Sequence, residues 1–444
     1  MNKIKVGAFG AFRGIVLMQS MLVMPEVELV AVLDKDINAL NMAKKMAETV
    51  GIQPAYYTDF EEFFKHDMDA VILSNFATEH APFAVRLMNS GRHVMSEVPA
   101  CENVAQCVEL IEAAEKNGVV YTMAENYCYM DDTFEMKRRY ELGDIGEISY
   151  AEGAYIHDQS SQHPSKTKGD PDHWRNTIYS TFYCTHAVNP LFFISDTRPV
   201  QVTGLETPTM GLVPHDLGYK GGGAGILMVR LNNGGVVRGI VAGFKREPWA
   251  DNINYTIYGT KGTMETHAIH DHNISVYIER EKFGHGTKED YYPKRFIAAD
   301  EAEQFLKEAY SHPDIFTKTT LSGQFHRCGD FYPGYFFIQK ILGRPEGKYA
   351  VDVYRAVDAS LCGIMAYRSI LNGGSPVDIP DLRDKNVRDA YRGDIACTTK
   401  AVAGDQLIPS RPGGNYEVNP AVYEYVRKLA EQGVPAEHGY RKED

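Results

Sequence analysis

Residues 4–14 read IKVGAFGAFRG. An apolar run of strand length, Ile4–Phe9, leads into a turn bearing Gly7, Gly10 and Gly14, and an amphipathic stretch follows. A turn between a first parallel strand and its helix points backbone N–H groups and the positive helix end at a pyrophosphate. Glycine is needed where backbone must approach phosphate closely. The turn departs from a strict G-x-G-x-x-G, which would place glycine at Phe12 and Ile15. Gly10, Phe12, Arg13 and Gly14 are the candidate cofactor contacts here. A second run, Val27–Leu33, ends at Asp34, 24 residues after Gly10. A carboxylate at that point accepts hydrogen bonds from ribose hydroxyls and repels a 2′-phosphate, so NAD is expected rather than NADP. Lys35, next in line, softens that preference.

Working outward, strands and helices alternate through the first 125 residues. Asp69–Leu73, His93–Met95 and Val119–Met123 read as buried strands. Helices are expected at Ile37–Val50, Glu79–Asn89 and Asn103–Asn117, ended by Gly51, Gly91 and Gly118. Continuous apolar strands between helices imply an α/β doubly wound parallel sheet, the Rossmann arrangement.

After about residue 145 the pattern changes. Ile148–Ile156, Val200–Leu205, Ala224–Leu231, Val236–Phe244, Ile253–Tyr258, Gly262–Thr266 and Ile274–Arg280 read as strands. Hairpin signals stand at Asn232–Gly235 and Gly259–Lys261. An α+β domain with a large, mainly antiparallel open sheet is expected. Helices at Glu301–Ser311 and Val351–Leu371 would cover one face and a second subunit the other. The expected division is 1–130 for the nucleotide domain and 131–380 for substrate binding and oligomerisation. Residues 381–444 would form a C-terminal wrap with one helix near Ala421–Gln432.

The chain has 444 residues, enough for two domains, and its composition is that of a soluble globular protein. The net charge of −13, with no basic block, argues against nucleic acid as a partner. The seven cysteines show no C-x-x-C spacing and read as reduced thiols of a cytoplasmic protein. There is no apolar core of a signal peptide and no run long enough to span a membrane. His267, His270, Asp271 and His272 look like a metal cluster, but the region reads as hairpin, and no metal is expected.

Further motifs join the glycine turn and Asp34. The stretch from Asp69 to Pro99, DAVILSNFATEHAPFAVRLMNSGRHVMSEVP, resembles the Gfo/Idh/MocA family of NAD(P)-dependent sugar oxidoreductases. His80, Gly91, His93, Glu97 and Pro99 match the family's run ending in G-K-H-V-x-x-E-K-P. The resemblance implies that Asn75, His80, Glu97 and Pro99 also serve the cofactor. Two departures stand out. The lysine of E-K-P is Val98. In STFYCTHAVNP, His186 matches the family's general base, but Phe182 stands where an aspartate is usual. Two of three polar groups of the usual proton relay are hydrocarbon here.

The surroundings are similar to one branch, the NAD-dependent α-N-acetylgalactosaminidase-type glycosidases. Tyr183–His186 resembles its Y-P-T-H, with Cys184 in place of proline. E-V-P-A at Glu97–Ala100, the Glu125–Tyr129 stretch, the Gly146–Asp158 strand and His173-Trp174-Arg175 follow the same branch. The resemblance implies redox-neutral cleavage, in which oxidation of a ring hydroxyl at carbon three is followed by elimination, addition and reduction. That route needs no oxocarbenium ion and no carboxylate pair. His186 would be the base at the hydroxyl. Tyr183 would assist it or remove the C–H proton, and Tyr155 would line the sugar site. Glu125 would hold a sugar hydroxyl or direct the leaving group. Trp174 would stack on a sugar face, or pack at a domain seam, and Arg175 would bind a polar substituent. A further tyrosine is left open among Tyr255, Tyr258 and the Tyr291-Tyr292 pair, and His326–Pro333 has no motif. The competing readings are a net NAD-dependent sugar or polyol dehydrogenase and a regulator that binds NAD and sugar. The open sheet predicts a homo-oligomer, a dimer or tetramer.

Overall fold

The computed structural model describes residues 3–209, 216–243, 251–266, 274–278, 287–291 and 329–433. The chain forms two compact units, each built from separated stretches. The first takes Met1–Cys101, Gln106–Arg138 and Tyr292–Val357, and the second takes Glu102–Ala105, Arg139–Tyr291 and Asp358–Asp444.

The first unit holds strands β1 (Ile4–Phe9), β2 (Val27–Leu33), β3 (Ala55–Tyr57), β4 (Ala70–Leu73), β5 (His93–Ser96) and β6 (Tyr121–Met123). Every pairing is parallel, in the order β3-β2-β1-β4-β5-β6. Fully apolar runs such as Ala70–Leu73 are buried on both faces, as helix-covered parallel strands require. The chain leaves β1 toward β2 on one side and returns to β4 on the other. The crevice between the ends of β1 and β4 is therefore the switch point where such sheets bind ligands. Helix α1 (Ala11–Leu22) starts there.

The second unit is built on a nine-stranded sheet containing β7 (Ile148–His157), β8 (Pro199–Thr207), β9 (Ala224–Leu231), β10 (Val236–Ala242) and β11 (Asp251–Gly259). Its pairings are antiparallel except for β7 with β10. β7 runs on to His157, one residue past the expected strand. The predicted hairpins form: Leu231 N–H is bonded to the Gly235 carbonyl, and β11 pairs antiparallel with Gly262–Thr266, Tyr258 standing opposite Thr263. A helix over Thr185–Ser195 lies on the inner face of β7 and β10. The outer face keeps Met228 and Tyr258 exposed, and Tyr150 stacks on Tyr258 with ring centres 5.8 Å apart.

Near the C-terminus a helix covers Pro420–Gln432, close to the expected Ala421–Gln432. Its start is set by Asn419, whose side chain accepts from the Ala421 N–H, and by Pro420 in the first turn. The expected helix at Glu301–Ser311, the histidine cluster at 267–272, and His326, Arg327 and Cys328 lie outside the described residues. Where the unassigned His326–Pro333 segment becomes described, it leads into a buried helix over Tyr332–Ile341, with Pro333 in its first turn.

Candidate functional site

In the first unit the glycine turn is shaped by contact with the end of β4. Gly10 has φ 97°, and a Cβ there would stand 2.4 Å from the Ser74 carbonyl. A side chain would be strained and would collide with backbone. Gly14 lies one turn into α1, where a Cβ would sit 3.3 Å from Ser74 Oγ. The Asp34 carboxylate closes the loop: Oδ2 accepts from the Ala11 N–H at 2.6 Å and Oδ1 from the Asp36 N–H at 2.8 Å. Each oxygen accepts at least two hydrogen bonds, so these contacts leave room for ribose hydroxyls.

Two polar atoms at the end of β4, Ser74 Oγ and Asn75 Oδ1, are buried without a hydrogen-bond partner. Such groups are rare in native structures and ask for water or a ligand. With the glycine cradle and the positive end of α1, they fit a dinucleotide. When bound, NAD supplies a reversible acceptor for the two electrons and hydrogen of an alcohol carbon.

Arg13 is placed differently from a simple phosphate contact. Its Nε donates to Glu97 at 2.7 Å and its Nη2 to Asp330 at 2.5 Å. The two carboxylates hold the guanidinium charged and raise its pKa above the ordinary arginine value, against the opposing effect of burial. Asp330 also accepts from Asn126 Nδ2 at 3.3 Å, next in sequence to the fully buried Glu125. Glu97 therefore anchors Arg13 as well as turning its Oε2 toward the Val98 N–H. His80 is buried, with Nδ1 2.9 Å from the Pro99 carbonyl and Nε2 3.3 Å from that of Asn75. It ties the β4 loop to the β5 loop, and burial pushes its pKa down. Phe12, by contrast, is 62% exposed.

In the second unit the helix over Thr185–Ser195 carries His186 to β7. Gly153 is the reason it can approach: a Cβ there would stand 1.9 Å from the Ala187 carbonyl oxygen. Tyr155, two residues on and so on the same face, meets His186 with ring centres 4.5 Å apart. His157 follows at 4.4 Å from Tyr155, and Tyr183 lies 5.8 Å from His186. Arg175 donates from Nη2 to the Tyr183 hydroxyl at 3.3 Å and lies over the rings of Trp174 and Tyr183. Trp174 and Tyr183 are stacked, 15° from parallel. The expected residues Tyr155, Trp174, Arg175, Tyr183 and His186 are thus one cluster.

Val98 and Phe182, the positions of the missing lysine and aspartate, are both buried, at 3% exposure each. Phe182 packs edge-on against Tyr179. A carboxylate at that position would be desolvated among aromatic rings.

Asp330, in the unassigned His326–Pro333 segment, and His157, in the Gly146–Asp158 strand, join these contacts although the sequence gives neither a role. Tyr255 is buried and donates its hydroxyl to the His186 carbonyl at 2.7 Å, whereas Tyr258 is exposed on the outer face. The inward set Ile253, Tyr255, Ile257 is readable by alternation once the strand's buried face is known. His173 caps the turn of Trp174 and Arg175 by accepting the Arg175 N–H at 3.2 Å. Burial, then the Arg175 charge, lower its pKa to about 4, which keeps that acceptor neutral.

Residues 4–125 match the family described as oxidoreductase family, NAD-binding Rossmann fold, the Gfo/Idh/MocA group. A glycosyl hydrolase family 109 protein of Shewanella pealeana is 32% identical over 174 residues, 37% of this chain and 38% of the relative. An alpha-N-acetylgalactosaminidase of Bacteroides fragilis is 27% identical over 399 residues, covering 83% of this chain and 89% of the relative. Among solved structures, levoglucosan dehydrogenase in complex with NADH and L-sorbose superposes with TM-score 0.63. It is 16% identical and covers 86% of this chain and 100% of that one. This last likeness is one of fold.

Proposed function

Because residues 4–125 carry the NAD-binding Rossmann domain of the Gfo/Idh/MocA oxidoreductases, we propose that this NAD-dependent enzyme cleaves a glycoside with no net redox change. The observation that carries the reading is the cluster of Tyr155, Tyr183 and His186, with hydrocarbon at both positions of the usual lysine–aspartate relay. The likeness to family 109 glycosidases over most of the chain supports it.

In the nucleotide unit, Gly10, Gly14, Asn75 and Asp34 would hold and orient NAD. Asp34 would take the ribose, and Arg13 works from behind, keeping Glu97 and the β5 loop in place. In the sheet unit, His186 accepts the proton of the ring hydroxyl at carbon three, and Tyr255 fixes its backbone. Once that carbon is a ketone, the neighbouring C–H is acidic, and Tyr183 takes its proton. The Arg175 guanidinium stabilises the phenolate that this requires. Loss of the aglycone then follows by elimination. Tyr155 bounds the sugar, Trp174 stacks on its apolar face, and Arg175 holds a polar substituent. Water adds to the double bond, and the same residues run the proton steps in reverse.

The test is a two-channel assay with chromogenic α- and β-glycosides, following aglycone release and nicotinamide reduction together. Release without lasting reduction is expected. Stoichiometric reduction without release would make the enzyme a net dehydrogenase.

We further propose that the outer sheet face around Met228, Tyr150 and Tyr258 is covered by a second copy of the chain. Sedimentation should give a dimer or larger, and Tyr258→Glu should shift it toward the monomer.

A further inference from the structure

We propose that a cavity beside Glu206, at the end of β8, is a second binding site, for a neutral hydroxyl-rich ring such as a sugar. The cavity has a volume of about 580 Å³ and is lined by Gly204–Thr209, by Ile370, Gly373 and Gly374, and by Arg411–Gly413. That is the size of ordinary small-ligand pockets. It exists because the short edge strand Val377–Asp378 pairs only with Gln201 and Val202, leaving the rest of that edge of β8 facing the cavity.

The polar groups converge there. Glu206 Oε2 accepts from the Ser180 hydroxyl at 2.5 Å. Its carboxyl reaches this position because residue 222 is glycine: a Cβ there would stand 2.0 Å from Glu206 Cδ. Thr207 Oγ1 is buried with no hydrogen-bond partner. Arg411 lies close enough to favour the Glu206 carboxylate, while burial is the larger influence and lifts its pKa to about 6. One acid and one base offset each other, so an ion of either sign gains little. A hydroxyl, which both donates and accepts, can serve carboxylate, guanidinium and threonine together. Leu205, 60% exposed, and Pro208 and Pro412 offer apolar surface for the C–H face of a ring. The inference stands on this lining and does not depend on the reaction run at Tyr155 and His186.

The experiment uses the full chain with ¹³C-labelled leucine and isoleucine methyl groups, titrated with galactose, glucose and N-acetylgalactosamine. The Leu205 and Ile370 methyl signals should shift with at least one of these sugars. Affinity should fall about tenfold in Thr207→Val, which removes a hydrogen-bond partner, and in Glu206→Gln, which removes the carboxylate charge that strengthens its hydrogen bonds. The same shifts should persist in His186→Ala, which separates this site from catalysis. Silent Leu205 and Ile370 methyls at tens of millimolar sugar would overturn the proposal. So would shifts produced by amino acids or phosphate but by no sugar, or affinities unchanged in both variants.

Discussion

Gly153 and Ala187 touch backbone to backbone: a Cβ on Gly153 would stand 1.9 Å from the Ala187 carbonyl oxygen. The residue just before Ala187 is the candidate base, His186, and two residues beyond Gly153, on the same face of the strand, is Tyr155. The contact therefore sets how far His186 stands from Tyr155, 4.5 Å between ring centres.

Gly153→Ala should push the helix off the sheet. Overpacking of this kind costs about 1–3 kcal/mol, and an ångström of misplacement at a reacting group costs about a hundredfold in rate. A melting curve and kcat measured on the same preparation check both. Unchanged kcat would show that the helix position does not govern the reaction.

Arg13 neutralises two carboxylates far apart in sequence, Glu97 and Asp330. Removing one partner of a buried ion network typically costs about 3–5 kcal/mol; with Arg13 a third exposed, about 2–3 kcal/mol is expected for Arg13→Ala. Arg13→Ala combined with Asp330→Asn should be less destabilising than the sum, because one orphaned charge is gone. Denaturant titration of the two single variants and the double variant measures the coupling.

Asp34 links the start of α1 to the end of β2 and faces the ribose in the proposed function. Asp34→Ala should weaken NAD binding by at least about tenfold, the loss of charge-assisted hydrogen bonds. It should also narrow the preference against NADP. Fluorescence titration with both nucleotides reads the two effects, and equal loss for both would point to a structural role only.

His163 and His173 are held neutral, with pKa values lowered to about 3 and about 4, burial being the main cause in each. Below the unfolded value of about 6.5 the unfolded chain binds protons that the folded chain refuses, so stability falls as pH drops. The loss should begin near pH 6.5 and continue through about pH 4, at up to about 1.4 kcal/mol per pH unit for each histidine. Urea unfolding across that range, with His173→Gln for comparison, checks it. The variant should flatten the slope, and an unchanged slope would remove His173 from the account.

Part of this arrangement is legible in the sequence alone. The glycine turn and Asp34 were readable because a strand–turn–helix that approaches phosphate needs particular residue types within a few positions of one another. Tyr155, Trp174, Arg175, Tyr183 and His186 were readable through motif resemblance, and they do form one cluster. The seven strands predicted after residue 145 appear because alternation and hairpin glycines are local signals.

What only the tertiary structure decided is pairing over distance. Asp330 lies 317 residues beyond Arg13, in a segment with no motif, and nothing local marks it as a charge partner. Tyr255 and Tyr258 differ only in which face of β11 they take, and register against β7 put one beneath His186 and the other on the outer face. Val98 and Phe182 could be read as losses, but burial shows why hydrocarbon stands there. Local geometry constrains which residues a short segment can use. Side-chain partners across hundreds of residues are set by how the sheets and helices pack, and only the folded chain carries that information.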